Sequence, residues 1–343
     1  MNKIIWIIGF CVLCVGCGGG GNSNPPTTTT PTGTPTAPPV STSDYLYPLT
    51  GNLGTHDPTI TKQGDTWYEY QTGAGIYGKT SSDGLNWSPL PSLITGSIDW
   101  WDTYVPNQVG NDVWAPDIGV YNGRTWLYYA ISTFGSQVSA IGLLSSDSIA
   151  SGNWQDEGLV INTTGSDDFN AIDPNLTLDA DGNPWLVLGS WSSGIKLTQL
   201  DSDSASATYM KPIGTLFDLA SRGGGIEGPV IIYRNNYYYL FVSVGVCCQG
   251  VNSTYRIMYG RSSDITGPYL DKQGNDMMAA GGSLLEDGDD RWKGPGGQDI
   301  DQIDGVDVIA FHAYDAASFG DPILQMATLL WDADNWPYLD PDG

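Results

Sequence analysis

The residues in this chain best suited to chemistry are acids set beside proline or glycine. Asp57 stands in "HDPTI", Asp173 in "IDPNL" and Glu227 in "IEGPV". An aspartate before proline is often a turn former and nothing more. Three acids at similar places in similar motifs favour a catalytic reading. Carboxylates brought together raise one another's pKa, so one stays protonated near neutral pH while another is ionised. Glycoside hydrolysis needs that division: one acid to protonate the leaving oxygen and one base to activate water. Glycine and proline around Glu227, in "GGGIEGPV", would let backbone and substrate approach closely.

The elements that must position these acids come from a repeat. Short aromatic and β-branched runs read as strands: "TWYEYQ", "RTWLYYAIS", "PWLVLGSW" and "NYYYLFVSVG". A turn such as "KQGD", "YNGR", "DADGN" or "YRNN" precedes each. Opening motifs recur at 56 ("HDPTI"), 114 ("WAPDI"), 172 ("IDPNL"), 226 ("IEGPV") and, more loosely, 294 ("GPGGQDI"). Five units of roughly 40–70 residues, each a small antiparallel sheet, predict an all-β fold, a five-bladed β-propeller. The opening motifs then lie on innermost strands, and residues distant in sequence meet at one end of the axis. Residues 45 to 55 are expected to close the ring, and "NWPYL" to end it. Trp100, Trp101 and Tyr104 are read either as a sugar platform or as a hydrophobic plug.

Composition narrows the ligand. A formal charge of −25, from 38 acids against 13 bases, argues against nucleic acid, whose phosphates need clustered Lys and Arg. It disfavours anionic substrates too, and a neutral sugar fits better. At the start, Lys3 precedes the apolar run "IIWIIGFCVLCVG", a signal-peptide core too short to span a bilayer comfortably. Gly16 before Cys17 resembles a bacterial lipobox with Cys17 as the lipidated residue, although Cys14 stands where Leu is usual. An ordinary cleaved signal is the alternative, and either route takes the protein out of the cytoplasm, to the medium or to a cell surface. Residues 18–44, rich in Gly, Pro and Thr, cannot bury enough surface to fold and read as a flexible tether. The domain is expected over 45–343, as a monomer. Outside the leader only Cys247 and Cys248 remain, either free and buried or joined as a vicinal disulfide.

In their order, "HDP", "WAPD", "IDPN", "IEGP" and "HAYD" resemble the blade motifs of glycoside hydrolase family 43 over roughly residues 45 to 338. "CCQGVNSTYRIMYGRSSDITGPYLDKQG" is similar to the family's endo-acting arabinan-cleaving members. The resemblance implies that Asp57 is the general base, Glu227 the general acid, and Asp173 the residue that tunes Glu227. It implies inversion, with the Asp57 and Glu227 carboxyls about 6.5–9.5 Å apart to admit water. It also places Trp114 and Phe134 as apolar walls and Asn175 near the subsite. His56 joins the substrate-contacting residues, where it either orients Asp57 or bonds to backbone. Asp117 reads as structural. The family often carries a His after "GPG" that helps hold a channel calcium; here that position is Gly297, which puts the metal in doubt. His312, in "FHAYD", is a weak metal candidate and otherwise a satisfied core histidine. The implied activity is endo-hydrolysis of α-1,5-L-arabinan, a neutral side chain of pectin. An exo-acting α-L-arabinofuranosidase or β-xylosidase of the same family is the first alternative, and a non-catalytic carbohydrate-binding propeller the second.

Overall fold

A computed structural model describes residues 45–339. The expected signal peptide, the lipobox at Cys17 and the tether over 18–44 lie outside the described residues.

Four blades are four-stranded meanders. The first comprises Thr59–Gln63, Thr66–Gln71, Tyr77–Ser81 and Asn86–Leu90. The second comprises Asp112–Tyr121, Arg124–Ile131, Ser139–Ser146 and Gln155–Thr163; the third Asn175–Leu178, Pro184–Leu188, Ile195–Gln199 and Phe217–Ala220. The fourth runs Ile226–Arg234, Tyr237–Val244, Arg256–Ser262 and Ser283–Glu286, and the fifth Trp292–Ile303, Val306–Asp315 and Asp321–Thr328. The first strand of each blade packs against the first strand of the next, and the fifth returns to the first. That closed ring is the predicted five-bladed propeller, with the opening motifs innermost.

The aromatic strands lie between blades. Tyr70, Val113, Ile118 and Leu127 fill the gap between the first and second blades, while Phe241, Tyr259, Ile309 and Phe311 fill that between the fourth and fifth. Burial of these side chains is the main drive for stacking blades. Trp101 is fully buried in the first of these clusters and donates from its indole nitrogen to Tyr129 Oη at 3.2 Å, so this residue is a plug.

Closure uses the segment expected for it. Tyr47 N donates to Met326 O at 2.8 Å, and Thr55 N to Pro322 O at 3.0 Å. Thr50–Gly51 pairs in parallel with Asn86–Trp87 on the first blade. One segment thus joins the last blade to the first.

Two devices repeat around the axis. The first is a left-handed backbone kink just before or within each inner strand: Asp57 (φ 51°), Ala115 (φ 39°), Asp173 (φ 49°), Gly228 (φ 56°) and Gly297 (φ 54°). Such φ values are uncommon outside glycine and often mark functional positions. The second is a chain of blade-to-blade hydrogen bonds two residues further on. Thr59 Oγ1 accepts from Ile118 N (3.1 Å), Asp117 Oδ2 from Leu176 N (2.7 Å), Asn175 Oδ1 from Ile231 N (3.0 Å), and Asp299 Oδ2 from Ile60 N (2.8 Å). Val230 interrupts the pattern, and there Ile300 N turns to Asp299 Oδ1 at 2.7 Å.

Candidate active site

All five opening motifs line one central cavity, which includes Asp57, Asp117, Asp173, Asn175, Gly228, Gly297, Gln298 and Asp299. Asp57 and Asp173 occupy the kink of the first and third blades. Glu227 stands one residue before the kink of the fourth, where Gly228 takes the strained position. The three acids are therefore not in one register, as their motifs suggest, although two are.

Asp57 is held on one side only. Its Oδ2 accepts from His56 Nδ1 at 2.7 Å and from Thr72 Oγ1 at 2.8 Å. Its backbone N–H donates to His312 Nδ1 at 3.1 Å, so that nitrogen carries no proton. Its Oδ1 lies 3.6 Å from the same Nδ1, beyond hydrogen-bond range. Oδ1 is thus the oxygen left to take a proton. Burial alone would push this carboxyl up, but the charge and hydrogen bond of His56, with His312 and Thr72, hold it at about 2.

The other two acids move the opposite way. Burial and then the charge of Asp57 push Asp173 up to about 7, against the Gly228 N–H that its Oδ2 accepts at 3.0 Å. Burial and then the charges of Asp173 and Asp57 push Glu227 well above the usual carboxylate range. Tyr255 Oη donates to Glu227 Oε1. One ionised carboxylate, Asp57, thus lines the cavity with Asp173, and both act electrostatically on Glu227, just before Gly228 of the cavity wall; Asp173 and Glu227 keep their protons to higher pH. That is the arrangement for removing a proton at one point and supplying one at another.

His56 and His312 stack, with ring centroids 3.9 Å apart. Burial drives His312 well below its ordinary pKa, and its Nε2 finds no hydrogen-bond partner among the described residues. For His56, burial lowers the pKa, but Asp57 and then Asp173 outweigh it and the net shift is upward. Donor atoms of His56, Asp57 and His312 lie within 4.8 Å of one another. They do not suit calcium, which takes six to eight oxygens. Both His56 nitrogens are engaged, by Asp57 and by Tyr314 Oη (2.8 Å). A side chain at Gly297 would not fit either: a Cβ there would lie 2.3 Å from Asp57 Oδ1 and 3.0 Å from His312 Nδ1.

The remaining expected residues are placed as follows. Asn175 is buried and spends its amide on the blade contacts, donating to Asp117 Oδ1 at 2.8 Å. Asp117 is likewise a strand tie. Trp114 is half-buried beside the second kink, its indole donating to Asp112 Oδ2 at 2.9 Å. Phe134 is 80 % exposed on the loop after Arg124–Ile131. Gln137 of that loop reaches Ser192 Oγ at 3.1 Å, next to the exposed Trp191. Trp191 packs over Gly225, two residues before Glu227, an exposed aromatic beside the acid that the motifs did not flag. Thr72, Tyr255 and Tyr314 were also missed. The tyrosines lie inside quoted stretches, "NSTYR" and "HAYD", but only contacts reveal their roles. Thr72 carries no sequence signal.

Residues 50–337 match the glycosyl hydrolases family 43. The chain belongs to that family. It is 53 % identical over 289 residues to the extracellular endo-alpha-(1->5)-L-arabinanase 1 of Bacillus subtilis, spanning 82 % of this chain and 86 % of that protein. It is 38 % identical to the extracellular exo-alpha-(1->5)-L-arabinofuranosidase ArbA of Cellvibrio japonicus, across 83 % and 86 % of the two chains. The solved endo-arabinanase of Bacillus licheniformis is 52 % identical, with a TM-score of 0.81 over 85 % of this chain and 99 % of that one. An arabinanase of Cellvibrio cellulosa complexed with arabinohexaose is 37 % identical, with a TM-score of 0.79 over 84 % and 96 %. In this family member the acids Asp57, Asp173 and Glu227 all lie within the matched residues.

Proposed function

We propose that this family 43 member is an extracellular glycoside hydrolase that cleaves α-1,5-L-arabinan internally, with inversion. Asp57 removes a proton from the attacking water through Oδ1, and Glu227 protonates the departing glycosidic oxygen. Above about pH 7, where Asp173 is itself ionised, its charge keeps Glu227 protonated, and its Oδ2 holds the Gly228 turn beside it. The observation that carries this reading is the opposite displacement of the Asp57 and Glu227 carboxyls, which interact with each other and with Asp173 at the inner strands. Similarity to the two endo-acting bacterial enzymes exceeds that to the exo-acting one, which favours endo over exo action. Trp114, Phe134 and His56 serve as sugar contacts, and Asn175 supports the subsite wall. Cys17 carries the lipid that tethers a monomeric domain to the cell surface.

The test is product analysis on debranched linear arabinan, comparing wild type with Glu227→Ala. Mixed short oligosaccharides from the wild type alone are expected. Arabinose as sole product would move the assignment to exo action. Binding without any product would leave a lectin-like propeller.

A further inference from the structure

The fourth-blade loop between Val244 and Arg256 reaches both sides of the site. Its last residue before the strand, Tyr255, donates to Glu227. Its tip carries Cys247 and Cys248, joined as a vicinal disulfide. Cys248 has φ 65°, in the left-handed region. That turn aims its backbone N–H at Tyr314 Oη, 2.8 Å away on the fifth blade. Tyr314 Oη lies 2.8 Å from His56 Nε2, and His56 Nδ1 lies 2.7 Å from Asp57 Oδ2. Cys248 Sγ itself is 3.7 Å from His56 Nε2.

The direction of this chain follows from its ends. A backbone N–H only donates, so one lone pair of Tyr314 is always taken by Cys248. An ionised carboxylate only accepts, so His56 Nδ1 must carry a proton toward Asp57. Tyr314 meets Nε2 with its own proton when His56 is neutral, and with its second lone pair when His56 is charged. In both states the imidazole stands in one orientation, and Asp57 keeps Oδ1 free. The ring closed by a disulfide between adjacent residues removes torsional freedom from both, which keeps a non-glycine residue in a conformation it seldom adopts.

We propose that the Cys247–Cys248 disulfide is a positioning device for the base: by locking the turn at Cys248 it holds Tyr314, and through Tyr314 and His56 it fixes the Asp57 carboxylate. This rests on the reading of Asp57 as base.

The experiment is a double-mutant cycle on linear arabinan with the full chain: Cys247→Ala/Cys248→Ala, Tyr314→Phe, and the triple variant. Each of the first two should lower kcat by about tenfold and leave KM within about twofold, and the triple should be no slower than Tyr314→Phe alone. Should the double alanine variant not fold, reduction of wild type and of Tyr314→Phe supplies the same comparison. A dithiol gives two electrons and two protons to open the ring into two thiols and is itself oxidised to a disulfide. Losses that multiply in the triple variant would overturn the proposal, as would a rise in KM with kcat unchanged, which marks a mere sugar contact. Asp57→Asn run alongside separates the two failures. If Asp57→Asn stays active, the base assignment is wrong. If it is inactive while the losses multiply, only the relay is wrong.

Discussion

Asp57 and Glu227 hold the same place in their motifs but differ by one position relative to the backbone kink, and that offset separates their chemistry. Asp57, on the kink, has His56 and Thr72 on one oxygen. Glu227, before the kink, is buried against the charges of Asp173 and Asp57. The pH dependence follows. Asp57 stays ionised from about 2 upward, so it imposes no loss in the neutral range. Activity falls when pH rises through the raised pKa of Glu227. Asp173→Asn removes the charge that supports that pKa, so the alkaline limb of kcat/KM should move to lower pH. An unmoved limb in the measured pH profile would rule out Asp173 as the residue that tunes Glu227.

The blade is the element that makes five motifs comparable. Each supplies a kink, and four of the five supply, two residues later, a side chain that hydrogen-bonds the neighbouring blade. Asp299 does most at the seam: its Oδ2 takes both Ile60 N and Thr59 Oγ1, at 2.8 and 2.9 Å. Asp299→Ala leaves a buried N–H and hydroxyl unpaired and should cost about 2–3 kcal/mol. Denaturant unfolding with an unchanged m-value would register this; a loss below about 0.5 kcal/mol would mean the seam rests on apolar packing alone. The aspartates that read from sequence as catalytic and as structural thus share one short motif. Asp57 and Asp173 are at the kink, Asp117 and Asp299 at the tie. "DP" and "PD" look alike as composition, and the kink separates them.

At the scale of the molecule the acid content sets a stability slope. Burial pushes Asp117 to about 7 and, with the charge of Asp117, raises Asp299 well above its ordinary value. Groups raised in the folded state stabilise it fully below the unfolded pKa of 3.8, and that stabilisation is lost as pH rises through the folded pKa. Asp57, held low, works in the opposite sense and only toward pH 2. Net repulsion from a charge of −25 adds to the loss at high pH. Tm should therefore be higher near pH 5 than near pH 8, and Asp117→Asn should flatten the difference. A Tm that climbs from pH 5 to 8 in the wild type would contradict the buried acids. The aromatic strands and their turns, fixed by local pattern, were enough to predict blades and their number, because each blade is a local meander whose spacing repeats. They were enough, too, to pick out the three acids. The partners of those acids were not legible. Thr72, Tyr255 and Tyr314 come from the first, fourth and fifth blades, and Cys248 meets His56 across 192 residues. The folding of each blade brings Thr72 to Asp57 and Tyr255 to Glu227, and only ring closure brings Tyr314 and Cys248 to His56. The low-dielectric environment so formed, not residue type, decides which acid keeps its proton.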